Sequence, residues 1–254
     1  YMQFLPAKRY FRDHPEWFAL IDGQRSDVQR QTFCTSSKQA LSVFLGNLRQ
    51  YVKAVPEVDR FDLFPEDGCK WCECARCRRI SEPDHHAILA NQMAKTVWSV
   101  YPDKPFSILA YSTCRAAPKP GLLDPAIEIM FCWWGRDYSL PFNHKNCAIH
   151  YDREYNDAGH PACCIQQRDF GDWLKRYGKT NSMVVFEQHL CQSIRGPNLL
   201  PVPVLDRDYR WFQSIGLSGI VHQYFGTTPT WTSALNCYVS VRKLWNPREN
   251  VRKL

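Results

Sequence analysis

Acidic side chains stand directly behind short apolar runs at two places, Glu66-Asp67 after R-F-D-L-F-P and Glu187 after M-V-V-F. Two carboxyls acting on one bond is what acetal cleavage requires, because a glycosidic oxygen leaves poorly unless it is protonated. One carboxylic acid donates that proton. The second carboxylate attacks or steadies the oxocarbenium-like carbon, or activates a water. Asp67, with Glu66 beside it, is the expected acid, and Glu187 the expected base or nucleophile. The other reading of Asp67 is an acceptor of backbone N–H bonds in its Asp-Gly turn. Polar and aromatic groups behind the remaining apolar runs, namely Tyr111, Trp133, His189, His222 and Gln223, are expected to shape a substrate subsite, together with His14 and Trp71. A flat ring stacks on the apolar face of a pyranose, although Trp71, Trp133 and Trp134 read equally as core. The net charge of +7 suits an acidic sugar such as a uronate, whose carboxylate Arg115 or Arg136 would pair.

Sulfur is the second chemical resource. Twelve cysteines are many for a reduced cytosolic enzyme and point to an oxidising compartment or a metal site. Four crowd into D-G-C-K-W-C-E-C-A-R-C: Cys69, Cys72, Cys74 and Cys77. Tetrahedral zinc takes four thiolates, but zinc ribbons separate their two C-x-x-C knuckles widely, and here a single residue intervenes. Disulfides or free thiols pinning a long loop are the leading expectation, with no cofactor, and zinc on these four is the alternative. His85-His86, just after the loop, read as exposed residues at a helix start or as further ligands. Cys163 and Cys164, being adjacent, pair elsewhere rather than with each other.

Several classes are excluded. No G-x-S-x-G, H-E-x-x-H, G-x-G-x-x-G or G-x-x-x-x-G-K motif occurs. The basic residues are scattered, which speaks against a nucleic-acid partner. No stretch reaches the length of a membrane span, and the N-terminus lacks the apolar core of a signal peptide. Because the chain opens with Tyr1, it reads as an excised domain or a processed piece.

The elements that must position these residues alternate. Strands are expected at 17–22, 60–67, 106–112, 127–134, 183–188 and 219–225. Helices are expected at 36–54, 84–100, 166–177, 204–215 and 232–245, the first with Leu41, Phe44, Leu45, Leu48 and Val52 on one face. Continuous apolar strands between helices imply an α/β fold with a parallel sheet. Six such units ending in a helix read as the last six of a (β/α)8 TIM-type barrel, in a single partial domain over 1–254 that lacks its first one or two units. A Cys-rich loop at about 67–83 and an irregular loop at about 135–163 interrupt it. An open sheet is the alternative. In such barrels the chemistry sits at the C-terminal strand ends, where these residues fall. The fourth and seventh strands would face each other across the barrel and bring Glu66 or Asp67 opposite Glu187.

Y-F-R-D-H-P-E-W-F-A-L-I-D-G-Q-R, the W-C-E-C-x-x-C loop, Y-P-D-K-P-F-S-I-L-A-Y-S, and G-L-S-G-I-V-H-Q-Y-F-G followed by K-L-W-N-P resemble the bacterial domain of unknown function 4838 from about Tyr10 to Pro247. That resemblance implies a glycoside-hydrolase-like barrel related to the family 67 α-glucuronidases, completed by an upstream segment. It implies an Asn-Asp pair where this chain has Glu66-Asp67, so Asp67 matches and Glu66 departs. It implies an acidic seventh-strand end, which Glu187 fits, and a Glu on the last strand where this chain has His222. The expected activity is hydrolysis of O-glycosidic bonds, in polysaccharide degradation by a secreted or envelope-located protein. A non-catalytic carbohydrate-binding barrel is the alternative that His222 favours.

Overall fold

The computed structural model describes residues 2–27, 32–133, 140–144, 163–187, 202–222 and 231–251. His189, Gln223, Trp134 and Arg136 lie outside them, as does most of the irregular loop. The chain divides into two compact units, Tyr1–Ile129 with Asp172–Asn181, and Met130–Gly171 with Ser182–Leu254.

The first unit opens with a short helix α1 (Ala7–Tyr10) and a two-stranded antiparallel hairpin of β1 (Leu20–Ile21) and β2 (Gln24–Arg25). Asp22 and Gly23, at φ 49° and 78°, form the two-residue turn, whose left-handed backbone Asp tolerates and Gly favours. The expected strand at 17–22 is therefore corrected. W-F-A-L-I pairs with its own continuation and not with the main sheet, because the Asp-Gly corner folds it back after two residues. Its flank is held by the Phe18–Phe33 bridge.

Helix α2 (Lys38–Ala54) starts where Ser37 Oγ accepts from the Ala40 N–H, and it buries Ala40, Phe44, Leu48 and Val52, one residue per turn. Strand β3 (Phe61–Leu63), helix α3 (Glu82–Trp98), β4 (Phe106–Ala110) and β5 (Ile127–Cys132) follow. Ser81 caps α3 and Pro83 occupies its first turn. Strand β4 is buried along its whole length, including Ser107, whose hydroxyl donates to Asp62. The second unit carries β6 (Met183–Glu187), α5 (Val202–Ser214), β7 (Gly219–His222) and α6 (Trp231–Trp245); helix α4 (Cys163–Tyr177) contributes to both units.

The main sheet holds five strands in the order β3-β4-β5-β6-β7, with parallel registers Leu63↔Ile108 and Glu187↔His222. Among the described residues this is one strand fewer than the sequence pattern suggests. Strand order that follows chain order without reversal is the singly wound topology of (β/α) barrels. A doubly wound sheet would reverse at a switch point. Among the described residues no helix is long and apolar enough to cross a membrane.

Candidate functional site

At the C-terminal end of β3 the chain turns sharply. The Cys69 N–H donates to the Glu66 carbonyl at 3.1 Å, and Gly68 takes φ 63° at the corner. Asp67, exposed in this turn, accepts from the Tyr111 hydroxyl at 2.8 Å. The Thr113 hydroxyl donates to the Cys69 carbonyl at 3.3 Å, so the loops after β3 and β4 are tied twice. Ser112, next to Tyr111, sits at φ 53°, a left-handed backbone held without glycine. Two sequence-predicted residues, Asp67 and Tyr111, are thus brought together at the strand ends. A second acidic group of this sheet, Asp62, lies toward the N-terminal ends. There Ser107 donates to it, and Arg60 pairs with both Asp62 and Glu128. That position reads as stability rather than chemistry.

In the second unit Glu187 and His222 are register partners at the ends of β6 and β7. Ile220 packs against Leu205, Tyr209 and Val239 of α5 and α6, and the Tyr209 hydroxyl lies 2.9 Å from His222 Nε2. Side chains two apart on a strand share a face, and so do register partners. Glu187 therefore shares with His222 the side turned to α5, and is only 5% exposed. Tyr209 went unrecognised in the sequence, where a tyrosine on a helix carries no mark of its partner.

Two expected sugar platforms are corrected. Trp71 is 5% exposed and stacks on His85, with centroids 5.3 Å apart at 13°. Trp133 is 1% exposed and meets Phe142 edge-on at 3.9 Å. Neither ring offers a face to a ligand. His85 and His86 are also buried rather than exposed. His14 is half-buried, stacked on Trp17 at 3.9 Å, with Glu16 at 3.3 Å. Arg115 follows the turn after β4, and its carbonyl accepts from Trp173 Nε1 at 2.7 Å.

The sulfur cluster differs from the expected set. Cys34, Cys72, Cys74 and Cys77 converge, each Sγ within 4.8 Å of the others. Cys69 is not among them; it is buried apart, its thiol pushed up to about 12 by burial. Cys34 reaches the loop because residues 17–20 and 32–34 run beside 70–73. Thr32 N–H donates to the Lys70 carbonyl at 3.0 Å, Cys34 N–H to Trp17 at 2.7 Å, and Glu73 N–H to Leu20 at 2.7 Å. Hydrogen bonds from the Cys72 and Cys77 thiols hold the Cys34 sulfur far below the ordinary thiol range. The signal available in the sequence was that Cys34 is the one cysteine ahead of the loop.

The family model described as "Domain of unknown function (DUF4838)" matches residues 1–254. Among curated proteins, none matches the chain. Among solved structures, a sugar phosphate isomerase/epimerase from Parabacteroides distasonis ATCC 8503 is similar at 8% identity and TM-score 0.42, over 84% of this chain and 68% of that one. The GH5 xyloglucan-specific endo-β-1,4-glucanase XEG5A from a metagenomic library, in complex with cellotriose, is similar at 12% identity and TM-score 0.45, over 78% of this chain and 60% of that one.

Proposed function

We propose a carbohydrate-active role for this chain, which belongs to the family of domain of unknown function 4838 over residues 1–254. The observation that carries the proposal is the Asp67–Tyr111 pair: an exposed carboxylate anchored at 2.8 Å at the C-terminal end of parallel strands, beside the left-handed Ser112. Strand ends of this kind are where (β/α) proteins hold ligands and place their reacting groups. The reaction is hydrolysis of an O-glycosidic bond. Asp67, or Glu66 in the same turn, protonates the leaving oxygen, and a second carboxylate, the role the sequence assigns to Glu187, attacks the anomeric carbon or activates a water. The substrate class is a uronic-acid-containing glycan, its carboxylate met by Arg115. Such a glycan is encountered outside the cytoplasm, so the role goes with a secreted or envelope location.

A second reading is a barrel that binds carbohydrate without cleaving it. The enclosure of Glu187 on the face turned to α5, next to His222, favours it. Aryl glycosides and uronic-acid oligosaccharides decide between the two, with turnover and calorimetric binding measured on the chain and on Asp67→Asn and Glu187→Gln. Hydrolysis reduced about 100-fold or more in both variants supports the enzyme. Binding without turnover, unchanged in Glu187→Gln, supports the binder. Neither binding nor turnover on any of these glycans removes the carbohydrate reading.

A further inference from the structure

We propose that Cys34, Cys72, Cys74 and Cys77 hold one structural zinc ion that fastens the segment leading into α2 to the Cys-rich loop. The geometry is that of a closed four-thiolate site. Four sulfurs about 2.3 Å from a common centre, arranged tetrahedrally, lie about 3.8 Å from one another. All six separations here are within 4.8 Å, and Cys34 Sγ to Cys74 Sγ is 3.8 Å. Two disulfides would instead draw the sulfurs into couples about 2.0 Å apart, and all four are free thiols.

The groups around the sulfurs are those a thiolate cluster uses. The Leu20 N–H donates to Cys72 Sγ at 3.3 Å. The Ser36 hydroxyl lies 3.2 Å from Cys34 Sγ and 3.5 Å from Cys74 Sγ, and the Thr35 hydroxyl 3.8 Å from Cys77 Sγ. Behind them, His85 Nε2 is 2.9 Å from the Cys77 carbonyl and Nδ1 is 3.1 Å from the Thr35 hydroxyl, which fixes the backbone that presents Cys77. Such outer partners orient metal ligands. Four thiolates on a divalent ion leave two negative charges, and Arg25, Lys38 and Arg76 line the cleft beside Cys34 and Cys74.

The fold also supplies a reason for a cross-link at this place. The cluster joins Cys34, Cys72 and Cys77 to Ala19, Leu20, Ile21 and Cys74, a core of seven small or medium side chains. The segments that meet there are two-residue strands, turns and one short 3-10 helix. So little apolar area does not offset the entropy of ordering irregular chain, whereas a bound metal contributes its affinity directly to folding. With all four positions filled by protein sulfur, no site remains for substrate, which separates this metal from catalysis.

The test is elemental analysis of the whole chain purified under reducing conditions without chelator, with Cys34→Ser, Cys74→Ser and Cys69→Ser in parallel. One equivalent of zinc is expected in the native chain and in Cys69→Ser, and its loss in Cys34→Ser and Cys74→Ser. A strong zinc chelator should lower the melting temperature, and added Zn2+ should restore it. Should the serine variants not fold, the native chain refolded with Co2+ still reports, since tetrahedral four-thiolate cobalt shows intense visible bands. Zinc retained in Cys34→Ser, iron in place of zinc, two disulfides by mass spectrometry, or a metal-free chain indifferent to chelator would each overturn the proposal.

Discussion

An imidazole closed off from water resists protonation for as long as the fold around it stays shut. His86 is 2% exposed and meets Trp71 edge-on at 6.5 Å; burial pulls its pKa down to about 3. An unfolded histidine titrates near about 6.5. Between those values the unfolded chain takes the extra proton, so stability is full above about pH 6.5 and declines as the pH falls, by up to about 1.4 kcal/mol per unit. Urea unfolding at pH 7.0 and pH 5.0 should show a larger loss for the native chain than for His86→Leu; equal losses would refute this. The adjacent histidines were read from the sequence as an exposed helix start, since their enclosure comes from the loop at 69–79, and no pattern internal to α3 announces it. Cys34 was illegible for a related reason. Spacing reveals metal ligands that share a turn, and Cys34 arrives from the far side of α2, carried by the backbone bonds of Trp17, Leu20 and Thr32.

Regular elements were legible wherever side-chain period coincided with burial, as in α2, where the expected face of Leu41, Phe44, Leu45, Leu48 and Val52 holds three of the four buried residues, with Leu41 and Leu45 half-buried and Ala40 joining them. The hairpin was misjudged because an apolar run of five residues looks alike in a sheet strand and in a two-residue β1. Only the Asp-Gly corner separates the two, and its turn type needs a partner strand to be recognised. The connection from β4 to β5 shows how an irregular segment is held. It has a single 3-10 turn, Ser112–Cys114, among its described residues, so its carbonyls need partners from outside. Trp173 takes that of Arg115, Arg176 those of Ala117 and Pro118, and Tyr177 that of Lys119. The buried Asn181 amide donates to both Asp124 and Ile127, at 2.8 Å and 2.9 Å. Asn181→Ala takes the amide from the Ile127 carbonyl, while the Asp124 carbonyl keeps the Ile127 N–H at 3.0 Å, and should lower stability by about 1–3 kcal/mol, read as a shift of the urea midpoint at constant slope. A change under about 0.5 kcal/mol, the level of an ordinary surface substitution, would show that water replaces the amide.

For the molecule as a whole, the alternation of apolar runs with helical patterns was enough to give a parallel α/β sheet, because strands buried mainly on both faces read as largely apolar runs, broken only at positions such as Asp62, Ser107 and Glu128. The chemistry of the strand ends was only partly legible. Asp67 and Tyr111 share a hydrogen bond that their spacing does not announce, while Trp71 and Trp133 take the core alternative of their two readings, since a tryptophan behind a strand carries no mark of which way its ring turns. The charge balance bears on the substrate independently of any one residue. Thirty-two basic against 25 acidic side chains leave +7, and a field of that sign raises the local concentration of anionic glycans while leaving neutral ones unaffected. Salt screens it, with a Debye length of about 8 Å at physiological ionic strength and about 3 Å at 1 M. A uronic-acid oligosaccharide and a neutral one of the same length therefore answer differently to salt. Calorimetric affinity for the acidic ligand should fall steadily as NaCl rises from 0.05 M to 0.5 M, while that for the neutral ligand stays nearly flat. Arg115→Ala should flatten the acidic curve and leave the neutral one in place. Parallel curves for the two ligands would mean that the positive field plays no part in recognition and would remove the acidic sugar from the proposal.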